Sequence, residues 1–205
     1  MFFFNLLFST SCYMQDFIQA IQQMIDISET ELHHFLSFCS EKKIKKKTPL
    51  TRVGVIPHQV FFVTKGLVRV VVEDGEGQQH SIHFALEGQF ICDYACFMQK
   101  KPALYYLETL EDSELVVLPR SGIEWGYEHL QQGDRLGRKI AEFYFIYYDN
   151  RIKNGYTKTP KQRYDAITEV FPNIHNRVPQ HMIASYLGIT SVHLSRLKKS
   201  TALEL

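Results

Sequence analysis

No stretch of this chain stays apolar long enough to span a bilayer. The best candidate, the opening MFFFNLLFSTSCY, is too short, and it lacks the positive flank and clean cleavage site of a secretory signal. An excess of one charge is missing too: the formal net charge is +1 over 205 residues. That value alone neither favours nor excludes a nucleic-acid partner. Cysteine is sparse. Cys12, Cys39, Cys92 and Cys96 form no C-x-x-C pair. Their wide, irregular spacing argues against an iron–sulfur set and for ordinary thiols in a reduced, cytoplasmic setting. Nucleophile-elbow, phosphate-loop and paired zinc motifs are all absent, so the sequence calls for no enzyme chemistry, cofactor or metal.

What is present is concentrated near the end. In QHMIASYLGITSVHLSRLKK (180–199), Ile183 and Leu187 are four apart and share a helix face. Ala184 is small where a second helix would cross. Gly188 can take a positive φ and stop the first helix. Ile189 plugs the turn, Thr190 is a good N-cap, and Leu194 and Leu197 bury the next helix. This is the pattern of a helix-turn-helix, a unit that lays its second helix in the DNA major groove. The residues left outside are Ser191, Val192, His193, Ser195 and Arg196, with Lys198 and Lys199 adding attraction to the phosphate backbone. Arg196 suits a guanine edge or a phosphate.

The rest of the chain divides by charge and period. Residues 1–133 carry 11 basic and 16 acidic side chains, a net −5; residues 158–205 carry 7 and 3, a net +4. An acidic front and basic back fit a sensing half joined to a DNA-binding half. Residues 1–13 read as a leader, either disordered or upstream of the true start. Helical spacing runs from Met14 to Cys39 and breaks near Ile27, where Ser28 and Glu31 form a capping box. Lys42, Lys43, Lys45, Lys46 and Lys47 read as a solvated, extended approach to the next strand. Residues 50–118 are β-rich, with strands at Val60–Val63, Leu67–Val72, Ser81–Phe84, Tyr105–Leu110 and Leu115–Leu118. Lys65-Gly66 is expected to close a tight hairpin, and residues 73–77 a second turn.

Residues 134–154 form one long helix. Leu136, Ile140, Phe143, Tyr147 and Asn150 follow a coiled-coil-like spacing that predicts a homodimer seam, although a helix packing on its own core gives similar spacing. Thr157 to Pro160 is the hinge, and Pro160 to Val170 a further helix. The expected domains are thus a β-roll sensor over 14–133, a dimerisation helix and hinge over 134–157, and a helix-turn-helix unit over 158–205. The fold class is α+β, with a jelly-roll-like N-terminal part.

This order of parts resembles the Crp/Fnr family of bacterial transcription regulators. The motifs that carry the resemblance are VFFVTKGLVRV (60–70), GQFI (88–91), YLETLEDSEL (106–115) and Val178 to Lys199. The resemblance implies a cyclic-nucleotide-binding-like sensor, a C-terminal winged-helix-type domain, a homodimer on a palindromic site in double-stranded DNA, and no membrane partner. It leaves room for RNA polymerase and a small-molecule effector. It places Ser191, Ser195 and Arg196 on the family's DNA-contact positions. Val192 stands where Crp and Fnr carry a Glu that accepts from cytosine; a valine can touch only a thymine methyl, so the operator should differ. The effector pocket would involve Gly88, Cys92, Asp93, Ala103 and Leu104. Members that bind cyclic AMP have Gly-Glu and Arg-Ser pairs where this chain has Cys92-Asp93 and Ala103-Leu104. Asp93 could hold a sugar hydroxyl, but the phosphate lacks a cation, so tight cyclic AMP binding is not expected.

Two other readings compete. A cupin-like metalloenzyme would use His80, His83 and Glu87, but residues three apart on a strand face opposite ways unless a bulge intervenes. A sensor acting through protein partners would have a degenerate DNA half; the short tail after Lys199 leaves little room for a β-wing.

Overall fold

A computed structural model describes residues 12–203, with side chains described for 13–199. The leader expected over 1–13 lies outside the described residues, except for Cys12 and Tyr13. Those two already belong to the first helix, α1 (Cys12–Met24). The second helix, α2 (Glu29–Ser37), opens on the expected capping box: the Ser28 side chain accepts from the Glu31 amide, and the Ser28 amide donates to the Glu31 carboxylate at 3.0 Å.

Eight strands follow: β1 (Ser40–Ile44), β2 (Pro49–Thr51), β3 (Gln59–Lys65), β4 (Val68–Glu73), β5 (Gln79–Ala85), β6 (Phe90–Ile91), β7 (Tyr106–Thr109) and β8 (Ser113–Pro119). A short helix, α3 (Tyr94–Gln99), lies between β6 and β7. They pair antiparallel into two four-stranded sheets, ordered β1-β8-β3-β6 and β2-β7-β4-β5. Phe61, Val63, Leu115 and Val117 from one sheet meet Val68, Val70 and Leu107 from the other in a dry layer. The second face of β3 is covered as well: Val60 and Phe62 pack under Phe17 of α1. Burial on both sides explains why VFFV reads as an unbroken apolar run.

Three sequence expectations need correction. The first part of the lysine run, Lys42 and Lys43, lies in a strand, and Lys45, Lys46 and Lys47 follow it. β1 lies at the edge of its sheet, where lysines discourage further pairing; Lys43 faces Glu114, and Lys45, just past the strand, binds Asp112 at 2.7 Å. Lys65-Gly66 does not close a hairpin. β3 and β4 belong to different sheets, so this turn carries the chain across the roll. Gly66 takes φ +101 there, and any side chain would strike Ser113. The helix expected over Pro160–Val170 breaks in two at Ala166.

Helix α4 (Arg120–His129) returns along the roll to the long helix, α5 (Gly133–Thr157). The stripe expected to form a dimer seam does not face outward. Leu136 is buried, Ile140 packs on the core beneath α1, and Tyr147 packs on the C-terminal core; only Phe143 and Asn150 stay exposed. At roughly 100° per residue, the face turned away from this stripe carries Ala141, Phe145, Tyr148, Ile152 and Tyr156. All five are exposed, Phe145 at 73% and Tyr156 at 89%. Both faces of α5 are apolar, so periodicity alone could not say which one the chain covers for itself.

The chain ends in α6 (Pro160–Asp165), α7 (Ile167–Val170), α8 (Ile174–Arg177), α9 (Gln180–Leu187) and α10 (Ser191–Leu203). Among the described residues no strand follows β8. Ile167, Phe171, Ile174, Ile183, Leu187 and Leu194 build a second core, which runs on without a gap into Phe84, Leu86 and Leu110 of the roll. The C-terminal helices are therefore docked on the roll.

Candidate nucleic-acid interface and effector cavity

The turn between α9 and α10 is built as its residues require. Ile183, Ala184 and Leu187 are buried on one side of α9. Gly188 caps that helix at φ +68, in the left-handed region that glycine enters without a steric penalty. The Thr190 side chain then accepts from the His193 amide at 3.2 Å, starting α10, and Leu194 seals the crossing at 1% exposure. Ser191, Val192, His193, Ser195, Arg196 and Lys199 lie exposed on α10. Lys198 does not join them. It follows Leu194 by four positions, so it sits half-buried on the inner side, close to His175. Burial first, and the Lys198 charge second, hold His175 below its ordinary value.

Helix α9 is tied to the roll. The Ser81 amide of β5 donates to the Ser185 hydroxyl at 2.9 Å. Tyr147 of α5 links its hydroxyl to Tyr186 at 3.1 Å and to His83 Nδ1 at 2.9 Å. His83 is buried among Tyr144, Tyr147, Tyr148 and Phe171, and its Nε2 has no partner among the described residues. Burial, with help from the Arg151 charge, pushes its pKa down to about 3, so the ring stays neutral. Arg177, the last residue of α8, is a second tie. Its guanidinium donates to both oxygens of Glu87 at 2.8 Å, to both oxygens of Glu111 at 3.0 and 2.7 Å, and to the Gly66 carbonyl at 2.9 Å. Glu87 and Glu111 stand in two different turns of the roll, so one planar cation gathers both.

The residues expected to form an effector pocket are only partly assembled. Asp93 is 1% exposed and caps α3 by accepting from the Cys96 amide; its other oxygen accepts from the Leu104 amide at 3.1 Å. It also bonds Tyr105. With its oxygens committed to the protein, Asp93 is not placed to hold a sugar hydroxyl, which corrects that expectation. Ala103 is buried, and its amide and carbonyl bond the 54–55 turn. The Leu104 side chain points to solvent, 71% exposed. Gly88 is a turn residue at φ +81, outside the cavity described next.

Cys92 alone of this set lines an actual cavity, about 500 Å³ in volume, enclosed by the roll, α1, α4 and α5. Phe17 and Ile21 of α1, Leu130 just after α4, and Leu136 and Ile140 of α5 wall its inner part. Ala95 of α3 and Ala141, Phe145 and Tyr148 of α5 edge its open side. Among the described residues no charged side chain lines it. Its aromatic walls were visible in the sequence as a high density of Tyr and Phe between 90 and 148. A linear reading offers no means of knowing that these rings surround a space.

The metal reading loses its geometry. A bulge at Ile82 does interrupt β5, since Val70 faces His83 while Val71 faces Ser81. Even so, His80 binds Asp74 at 2.7 Å, His83 binds Tyr147, and Glu87 binds Arg177. Among the described residues no three His, Cys, Asp or Glu side chains are grouped to hold a metal. Among the same residues no helix is long and apolar enough to cross a membrane.

Comparison with known proteins identifies the architecture. Residues 41–129 match the cyclic nucleotide-binding domain. Sequence comparison with curated proteins gave no match. Among solved structures, FixK2 from Bradyrhizobium japonicum aligns with a TM-score of 0.69 at 16% identity, over 81% of this chain and 85% of that one. A Crp/Fnr-family transcriptional regulator from Eubacterium rectale aligns at 0.69 and 14%, over 87% and 85%. The catabolite activator protein of Thermus thermophilus aligns at 0.53 and 14%, over 86% and 84%. The chain thus has the fold of the Crp/Fnr regulators, with a cyclic nucleotide-binding domain ahead of a long helix and a helical C-terminal unit.

Proposed function

We propose that this chain is a DNA-binding transcription regulator of Crp/Fnr type that acts as a homodimer on a palindromic operator. A sensor over residues 14–133 would bias the helix-and-hinge segment 134–157, and the unit over 158–205 would read DNA. The observation that carries this reading is the α9–Gly188–α10 crossing, with Ser191, Val192, Ser195, Arg196 and Lys199 exposed on the second helix. Hydroxyls and cations on one rod suit base edges and phosphates together. The second copy is assigned to the outward face of α5, through Phe145, Tyr148, Ile152 and Tyr156, in place of the inward stripe.

The test begins with genome-wide binding of the tagged protein, which yields an operator. Replacing Arg196 with Ala should then weaken operator retention by about 1–3 kcal/mol, roughly fivefold to 150-fold, and relax one base position. Wild-type retention in Arg196→Ala would remove Arg196 as a reader. Affinity should also fall steeply as salt rises. A sensor that works through protein partners is the second reading, favoured by the tight docking of α9 on β5. It predicts no salt-dependent operator retention at all.

A further inference from the structure

We propose that the cavity between the roll and helices α1, α4 and α5 binds a small, neutral, predominantly apolar molecule. Three features of the walls select this chemistry. The first is size: about 500 Å³ lies within the range of sites that hold drug-sized ligands. The second is the lack of charge. Among the described residues no Lys, Arg, His, Asp or Glu lines the space. Arg120, from the start of α4, is engaged elsewhere: its guanidinium bonds the Pro57 and Phe97 carbonyls and lies over the Phe97 ring at 4.0 Å. The nearby Asp93 carboxylate would repel an anion. Placing a phosphate here would leave a charge buried without a partner, which is strongly unfavourable.

The third feature is that most of the tyrosine hydroxyls in the walls are already used. The Tyr144 hydroxyl donates to the Phe90 carbonyl. Tyr105 bonds Asp93, and Tyr127 bonds Tyr94. A ligand rich in hydroxyls or amides would find few partners and lose its hydration, whereas an apolar body is matched by Phe17, Ile21, Phe90, Leu130 and Ile140. The cavity opens beside Ala141, Phe145 and Tyr148, which lie on the outward face of α5 assigned above to the second copy. An occupant would therefore sit against that seam. Its role as an effector rests on the regulator reading; its binding does not.

The experiment uses N-phenyl-1-naphthylamine, an uncharged fluorophore that brightens in apolar surroundings, titrated into the full chain. Saturable brightening is expected. Ala95→Trp and Ala141→Trp both crowd the open side without touching the packed core, and each should weaken the probe's affinity at least tenfold. Cyclic AMP at millimolar concentration should leave the signal unchanged. Absence of saturable brightening would overturn the proposal. So would equal affinity in the wild type and both variants, because the probe would then sit elsewhere, and so would displacement by cyclic AMP. Operator retention measured with and without the probe separates the two claims: a shift supports an effector role, while saturable binding with unchanged retention keeps the site and removes that role.

Discussion

At the scale of single residues, most of the ties between the C-terminal unit and the roll pass through Arg177 and Tyr147. Arg177→Ala would leave Glu87 and Glu111 facing each other without their cation. These groups are partly exposed, so the loss should be about 1–2 kcal/mol once screening is allowed for. It should appear as faster amide exchange in α9. The pH dependence has a definite sign. Burial raises the Glu87 pKa, but the Arg177 and Gly66 bonds outweigh it and hold it below the ordinary 4.5. A carboxylate lowered by folding stabilises above its unfolded value and stops doing so as pH falls through its folded one. The stability gap between wild type and Arg177→Ala should therefore shrink as pH drops below 4.5. Tyr147→Phe should cost about 1–3 kcal/mol in urea melts, because it leaves a His83 nitrogen without a partner in a buried site. Neither tie was legible in the sequence. Arg177 and Glu87 are far apart along the chain, and nothing local marks them as partners. The Ser28–Glu31 and Thr190 caps were legible because every atom involved lies within three residues.

At the scale of elements, strands and helices with strong local patterning read correctly, and those set by crossings did not. The apolar core of β3 and the spacing of α9 and α10 each carry their own signal. The sheet change at Gly66 does not, because a hairpin and a crossover use the same turn residues. Helix α5 was legible as a helix but not in its orientation. The two faces of α5 should respond differently to substitution. Phe145→Asp should shift the protein towards monomer in sedimentation while leaving the melting midpoint nearly unchanged. Leu136→Ala should lower stability by about 2–4 kcal/mol through a core cavity. The reverse pattern would return the seam to the stripe of Leu136, Ile140 and Tyr147.

At the scale of the whole molecule, α5 touches α1, the roll, the cavity and α9. Leu136 and Ile140 face α1 and the roll, Tyr144 and Tyr148 wall the cavity, Tyr147 reaches α9, and Phe145 and Ile152 face outward. Under the proposed function, sensing, pairing and reading would all depend on how this one rod lies. The genetic consequence is pleiotropy. In a library of random substitutions, an exposed position on β1 should alter one property or none. A position between 136 and 152 should alter several at once, and compensating changes should arise at distant sites on β5, α9 and α1 more often than beside the original lesion.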